Sequence, residues 1–356
     1  MKTRDFILTI LFSLIFSYSN AQNERIANAS LKHRMDSLLK AQNVPMLAMG
    51  LIENNEIVMT EVLGLSKPIN NASSELQFSV ASLTKPVTMM LALTLASNKA
   101  WNLDESLAHY WIDPDVRGDT LVNRLTSRHV LSHQGGFINW RSMNPGGKLV
   151  FDTPPGTAFR YSGEGYEYLR HAMEKKFNKH FEYLVDSLVF KPLHMNHSYM
   201  KWPDHLDTLK YAGRFDQHGK KYPIEKPASA NAAASLITTI RDYAEFALAC
   251  LKGEGISADL NRQIHTPQIM VTQVRDVGIG LSWVVIKNLS RNEYALMHTG
   301  SDPGIKTLIV LLPKSKRGLV VFTNGDNGKN VYEAVLREML DVGNEILLRM
   351  KKPSEN

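Results

Sequence analysis

Ser82 and Lys85 stand three residues apart in Ser82-Leu83-Thr84-Lys85, a spacing that puts a hydroxyl and an amine on one face of a helix. A neutral amine there can take the hydroxyl proton, which activates a serine nucleophile without a histidine. The pattern occurs three times, at Ser37–Lys40, Ser82–Lys85 and Ser198–Lys201, so spacing alone does not choose among them. Context favours Ser82. Leu76 to Ala81 reads as an extended or turning approach, and from Leu83 to about Leu95 the chain is rich in the helix formers Met, Leu and Ala. Pro86 is tolerated only near a helix start. Ser82 is therefore expected at a helix N-terminus, where free backbone N–H groups and the macrodipole favour a developing oxyanion. Ser37 falls inside an amphipathic pattern, Leu31 to Leu39, and Ser198 lies in His197-Ser198-Tyr199-Met200, which has no helix-start signal. The simpler alternative for Ser82 is an N-cap serine beside a solvated lysine.

Three further segments carry groups suited to chemistry. Leu131-Ser132-His133-Gln134-Gly135-Gly136 ends a helical pattern, Pro154 to Gly163 is a turn-rich approach to Tyr161-Ser162-Gly163, and His298-Thr299-Gly300-Ser301 ends an apolar strand. His129 and His133 have the i, i+4 spacing of two zinc ligands on one helix, but Val130 stands where the zinc protease motif has its glutamate. The Gly-x-Ser-x-Gly elbow of α/β-hydrolases is missing, since Ser162 follows Tyr161. No metal and no cofactor are called for.

The elements that must position these groups can be read in order. A helix over residues 24–41 precedes two strands, Met46 to Glu53 and Glu56 to Gly64, with Asn54-Asn55 as the hairpin signal. The Ser82 helix follows. Residues 101–227 read as a mostly helical, loop-rich insertion, with short helical patterns at Arg128 to Ser132 and Tyr166 to Phe177. Ala232 to Leu251 reads as a helix. Strands are expected at Gly280 to Lys287, Tyr294 to His298, Lys306 to Leu312 and Gly318 to Asn324, and a closing amphipathic helix at Asn330 to Leu348. Strands at both ends with helices between them imply an α/β (α+β) fold in which residues 24–100 and 228–350 build one sheet-containing part.

Of the 356 residues, 44% are hydrophobic and 21% charged, as suits a globular protein with a sizeable core. Lys2 and Arg4, the apolar run from Phe6 to Phe16 and the small residues of Ser19-Asn20-Ala21 form a secretory signal peptide, residues 1–21, expected to be cut after Ala21. A secreted or periplasmic protein follows, leaving a mature domain of residues 22–350 and a tail of 351–356. The run is shorter than the roughly 20 apolar residues a membrane span needs, so no stable membrane anchor is expected. Cys250 is the single cysteine, which rules out an intrachain disulfide and a lipid-anchored mature N-terminus; it reads as a small buried hydrophobe. Removing Lys2, Arg4 and Asp5 with the signal peptide lowers the formal net charge from +6 to +5. The excess is dispersed, without a basic-aromatic array, which argues against nucleic acid as a partner.

With Ser82-x-x-Lys85, Tyr161 and His298-Thr299-Gly300 in this order, the chain resembles the penicillin-recognising serine hydrolases, and within them the group of class C β-lactamases, D-alanyl-D-alanine carboxypeptidases and esterases. Phe190 to Met195, Gly278 to Trp283 and Phe322-Thr323-Asn324 also look like landmarks of that group, and the ordered match runs from about residue 30 to about residue 345. The resemblance implies a β-lactamase/transpeptidase-like fold: an antiparallel sheet flanked by helices, with a mostly helical inserted subdomain. It implies Ser82 as nucleophile, Lys85 and Tyr161 sharing the acid/base work, and the backbone N–H groups of Ser82 and Ser301 as the oxyanion hole. Tyr161 would serve as a base only if a neighbouring cation, naturally Lys85, lowered its pKa from near 10. Gly163, His298, Thr299 and Gly300 would line the substrate site. Two departures matter. Gly163 replaces the asparagine of the family's Tyr-x-Asn, and His298 replaces the lysine of its Lys-Thr-Gly. Histidine, mostly neutral at pH 7, holds a substrate carboxylate less well than lysine. The expected substrate is a small-molecule or peptide acyl donor, an ester or D-amino-acid peptide before a β-lactam. The alternative is a non-catalytic penicillin-binding-like sensor of the same fold.

Overall fold

The computed structural model describes residues 30–64 and 75–351. The expected signal peptide, residues 1–21, lies outside the described residues. In chain order the elements begin with α1 (30–42), β1 (Met46–Glu53), β2 (Glu56–Gly64), β3 (Phe78–Ser79) and α2 (Thr84–Ser97). Then come the helices α3 (Ser127–Leu131), α4 (Gly163–Phe177) and α5 (Phe181–Val185), β4 (Ile237–Thr238), α6 (Ile240–Lys252) and α7 (Ala258–Ile264). The chain closes with β5 (Ile269–Thr272), β6 (Val277–Ile279), β7 (Val284–Leu289), β8 (Glu293–Asp302), β9 (Ile305–Leu312), β10 (Arg317–Thr323), α8 (Gly328–Met339) and α9 (Gly343–Met350).

Eight strands form one antiparallel sheet in the order β2-β1-β10-β9-β8-β7-β6-β5, so the N-terminal hairpin joins the C-terminal strands through β1 and β10. The two short strands β3 and β4 pair separately beside it. Both faces of the sheet are covered, and the central strands show why: Leu308, Val310, Leu319 and Val321 face α1, α8 and α9, while Ile309, Leu311, Val320 and Phe322 face α2, α6 and the helical region. Successive side chains point to opposite faces, so a strand buried on both sides reads as a continuous apolar run. This is the antiparallel, helix-flanked β-lactamase/transpeptidase-like architecture that the resemblance implies. At Gly50 a Cβ would lie 3.2 Å from that of Ala244, so a glycine lets α6 pack directly on β1.

Several expected boundaries shift for local reasons. The stretch Ala232 to Leu251 is not all helix; β4 comes first and α6 begins at Ile240, capped by Thr239, whose side chain accepts from Asp242 N–H at 3.1 Å. The run Gly280 to Lys287 is interrupted by a turn in which Ser282 has φ +68°, leaving β6 and β7 on either side. The closing helix is two helices. Leu340 is extended between them, and Gly343 packs against the Leu336 carbonyl where a Cβ would collide. Helix α4 begins at Gly163, ahead of Tyr166, because Ser162 caps it by accepting from Gly165 N–H at 3.0 Å.

Candidate active site

Ser82 lies in a 3₁₀ turn, Ala81–Leu83, that leads straight into α2. It is not an N-cap; Leu83 occupies that position and no side chain caps the helix. Just before it, Ala81 adopts φ +50°, a left-handed conformation that non-glycine residues avoid at a cost of roughly 1–2 kcal/mol. Four hydrogen bonds hold the turn in place. Thr84 Oγ1 donates to the Ala81 carbonyl at 2.7 Å and accepts from Leu236 N–H at 3.0 Å, Thr307 Oγ1 donates to the Val80 carbonyl at 3.0 Å, and the Tyr243 hydroxyl donates to the Leu83 carbonyl at 2.7 Å. Strain fixed by surrounding structure is a mark of a functional turn.

One turn into α2, Lys85 is fully buried, with Nζ 3.1 Å from Ser82 Oγ and 3.0 Å from the Ala233 carbonyl. Burial pulls its ammonium down to about 7, against a smaller upward pull from the Glu167 carboxylate. Near neutrality about half of this amine is unprotonated, and an unprotonated amine can accept the serine proton. The other two Ser-x-x-Lys copies make no such pair: Ser37 Oγ donates to the His33 carbonyl at 2.9 Å, and Ser198 Oγ donates to Asp242 at 2.8 Å while Lys201 binds Glu182 at 2.9 Å.

Tyr161 sits just before the cap of α4 and lays its ring 4.8 Å from Lys85 Nζ, with the Tyr166 ring 5.5 Å away on another side. Here one sequence expectation is corrected. Lys85 does not lower the Tyr161 pKa; burial pushes the phenol up to about 12, opposed by a hydrogen bond with Ser82. Tyr161 is 37% exposed to the cleft, so water moderates that rise, yet the phenol stays protonated at neutral pH. The reason is that the amine beside it is itself desolvated and only partly charged. At neutral pH the pair is thus a protonated phenol beside a partly neutral amine.

His133, read from the sequence only as a rejected zinc ligand and a helix end, supports Tyr161. Its ring packs 4.3 Å from the Tyr161 ring, and its Nδ1 accepts from Ser162 N–H at 3.2 Å, which assigns the ring proton to the buried Nε2. Burial and then the Lys85 charge hold it well below the ordinary histidine range, so it is neutral. His129 turns away, with Nδ1 3.1 Å from the Arg124 carbonyl.

The end of β8 closes the other side. Gly300 pairs with Thr307 and presses on the Ser82 turn, where a Cβ would collide with the Val80 carbonyl and Thr307 Oγ1 and lie 3.3 Å from Ser82 N. A glycine here lets the end of β8 approach the Ser82 turn closely, and Ser82 and Ser301 both line the cleft. His298 is 5% exposed and donates from Nδ1 to the Thr299 carbonyl at 2.9 Å. Burial and then the Lys85 charge lower it to about 3, so it faces the cleft as a neutral ring. Ser82, Tyr161, His298, Thr299 and Ser301 all line one cavity of about 410 Å³.

Gly163 does not reach this cavity as a binding group. A Cβ on it would run into the Trp140 indole, and its N–H donates to Asn139 Oδ1 at 2.9 Å. Asn139 and Trp140, which sequence reading passed over, line the cavity where the family's asparagine would project. The signal was thin: Phe137-Ile138-Asn139-Trp140 has no motif spacing of its own, and only the loss of a side chain at Gly163 hinted that something else fills the space.

Known structures share this architecture. A class C beta-lactamase superposes with a TM-score of 0.71 at 18% identity over 91% of this chain and 98% of its own. A D-stereospecific amidohydrolase from Streptomyces sp. gives 0.67 at 18% identity over 86% and 97%, and an octameric penicillin-binding protein homologue from Pyrococcus abyssi gives 0.70 at 18% over 86% and 77%. At such identities the likeness is one of fold. The sequence profile of the family described as Beta-lactamase matches residues 31–343, and the chain belongs to that family. Penicillin-binding protein 4* of Bacillus subtilis is 21% identical over 73% of this chain, and Protein flp of Staphylococcus aureus is 19% identical over 80%. The chain spans 63% and 61% of the length of these two proteins.

Proposed function

We propose that this protein is a secreted serine hydrolase that cleaves esters or amides through an acyl-enzyme on Ser82, of the carboxylesterase or D-amino-acid peptidase type. The observation that carries this reading is the buried, partly neutral Lys85 amine 3.1 Å from Ser82 Oγ. Lys85 takes the Ser82 proton as Oγ attacks the carbonyl carbon, and the backbone N–H groups of Ser82 and Ser301 receive the oxyanion. Tyr161, protonated at rest, gives its proton to the leaving group, regains one from Lys85, and the same pair then activates the deacylating water. The substrate preference rests on the facing wall: His298 offers no charge to a carboxylate, and Trp140 fills the space where an acylamido-binding side chain would stand. Both features count against β-lactams.

The test is chemical. The mature protein is incubated with a fluorophosphonate, a penicillin and short-chain nitrophenyl esters while intact mass and product release are followed. A fluorophosphonate adduct on Ser82 and ester turnover that exceeds penicillin turnover and disappears in Ser82→Ala are expected. Absence of both adduct and turnover refutes the proposal and leaves a binding protein of the same fold.

A further inference from the structure

Among the described residues that line the Ser82 cavity, Asp302 alone carries a formal charge at neutral pH. It follows Ser301 at the end of β8, opposite Ile305 in the ladder, and both side chains are exposed at the mouth. At about 3.3 Å per strand residue it stands roughly 7 Å along the strand from Gly300, within reach of a group one or two bonds from a carbonyl bound at the oxyanion hole.

The cations nearest to Asp302 are committed elsewhere. Lys306 Nζ donates to the Asp302 main-chain carbonyl at 3.0 Å and lies 3.6 Å from the Asp326 carboxylate. Arg214, largely buried, pairs with Glu225 at 2.9 Å and donates to the Pro223 carbonyl at 3.3 Å. The Asp302 carboxylate itself takes part in no ion pair or side-chain hydrogen bond among the described residues. Burial at the strand end raises it, the Glu225 carboxylate adds to the rise, and Arg214 and Lys306 oppose it. The cleft thus has the reverse of a carboxylate-binding polarity: a neutral imidazole where a cation would sit, and an unpaired carboxylate at the mouth. A charge-assisted hydrogen bond in such a cleft is worth about tenfold or more in affinity.

We infer that Asp302 selects acyl donors carrying a protonated amine beside the scissile carbonyl, so that the substrates are amino-acid esters, amides or peptides with a free α-amino group. This inference rests on the hydrolase reading above. The bond broken is the ordinary one: the leaving alcohol or amine departs with a proton from Tyr161, and the ammonium next to the acyl carbon is unchanged.

Three benzyl esters of alanine, with a free, an N-acetyl or an N-succinyl amine and in both enantiomers, carry a positive, zero or negative charge on the amine side of the acyl group. At pH 7 most of the free α-amine is protonated. The expected order of kcat/KM is free amine, acetyl, succinyl, with the first step about tenfold or more. Asp302→Asn should bring the first two to about parity, and Asp302→Lys should put the succinyl ester first. Fluorophosphonate labelling of Ser82 in each variant shows that the site is still folded. Equal rates on the free and acetylated esters in the wild type, or a preference that survives in Asp302→Asn, overturn the inference while leaving the hydrolase standing. If no ester is cleaved but Ser82 is labelled, the amine-donor class is wrong; if Ser82 is not labelled either, the hydrolase reading falls with it.

Discussion

The turn that carries Ser82 and the wall that faces it solve opposite problems. Around Ser82 the backbone is pinned by Thr84, Thr307, Tyr243 and the close approach of Gly300, and the amine that would activate the serine is stripped of water. Across the cleft, Trp140 replaces a side chain at residue 163, a neutral His298 stands where a cation would be, and Asp302 adds an anion at the rim. One side holds atoms to a narrow geometry at a cost in stability, and the other sets shape and charge with little strain. The chemistry is therefore expected to be fragile on the first side and adjustable on the second.

The largest effect should come from Lys85→Met. Activity should fall by about a thousandfold or more, measured as kcat/KM on an ester, because the base is gone. Stability should move the other way. The folded-state pKa of Lys85, about 7, lies below the unfolded value near 10.5, so the unfolded chain binds more protons between those pH values. The wild type should gain stability as pH rises from about 7 to about 10, and the penalty is greatest below pH 7, on the order of 5 kcal/mol. Lys85→Met removes it, so thermal melts at pH 7 should rise by several degrees and lose that pH dependence. A melt that falls would mean that the lysine supports the fold.

Gly300→Ala tests the same side by sterics alone. A methyl there collides with the Val80 carbonyl and Thr307 Oγ1, so the strand end must back away from the nucleophile turn. Loss of one oxyanion donor costs about a hundredfold or more, and activity should drop by that much. Near-normal turnover would show that Ser301 N–H has no part in the reaction.

The facing wall should respond differently. Gly163→Asn alone forces the amide into Trp140 and should cost roughly 1–3 kcal/mol in a denaturant melt. Combined with Trp140→Ala, the added side chain has room, and the double variant should recover much of that loss. The cycle measures coupling between two residues that are far apart in sequence. If the two costs simply add, Trp140 is not what keeps residue 163 a glycine.

The two sides also differ in how much of them could be read from the sequence. Ser82, Lys85, Tyr161 and the end of β8 were legible because each sits in a short motif with fixed spacing and order. The sheet was legible because β1, β9 and β10 are apolar on both faces. Asn139, Trp140 and Asp302 were not, since they meet the cleft only through the folding of loops and a strand end. The protonation pattern was hidden for a related reason. Placing Lys85 beside Tyr161 suggested a cation lowering a phenol, whereas burial discharges the lysine in part and raises the phenol instead. Burial is a tertiary property, and spacing carries no trace of it. The ends of α4 and α6 were misjudged because Ser162 and Thr239 were not recognised as caps.

The smallest expected effects distinguish the groups that titrate. With Lys85 as base, kcat/KM should fall about tenfold per pH unit below about 7, since only the unprotonated amine accepts the serine proton. His298 has an ordinary histidine range that could mimic this limb, but its pKa of about 3 keeps it neutral throughout. His298→Asn should therefore leave the midpoint of the limb within about half a pH unit. His298→Lys places a second cation near Lys85 and should move the midpoint downward, because like charge further disfavours the ammonium. A limb that vanishes in His298→Asn would transfer the titration to the histidine and remove the division between a chemical side at Ser82 and a recognition side at His298.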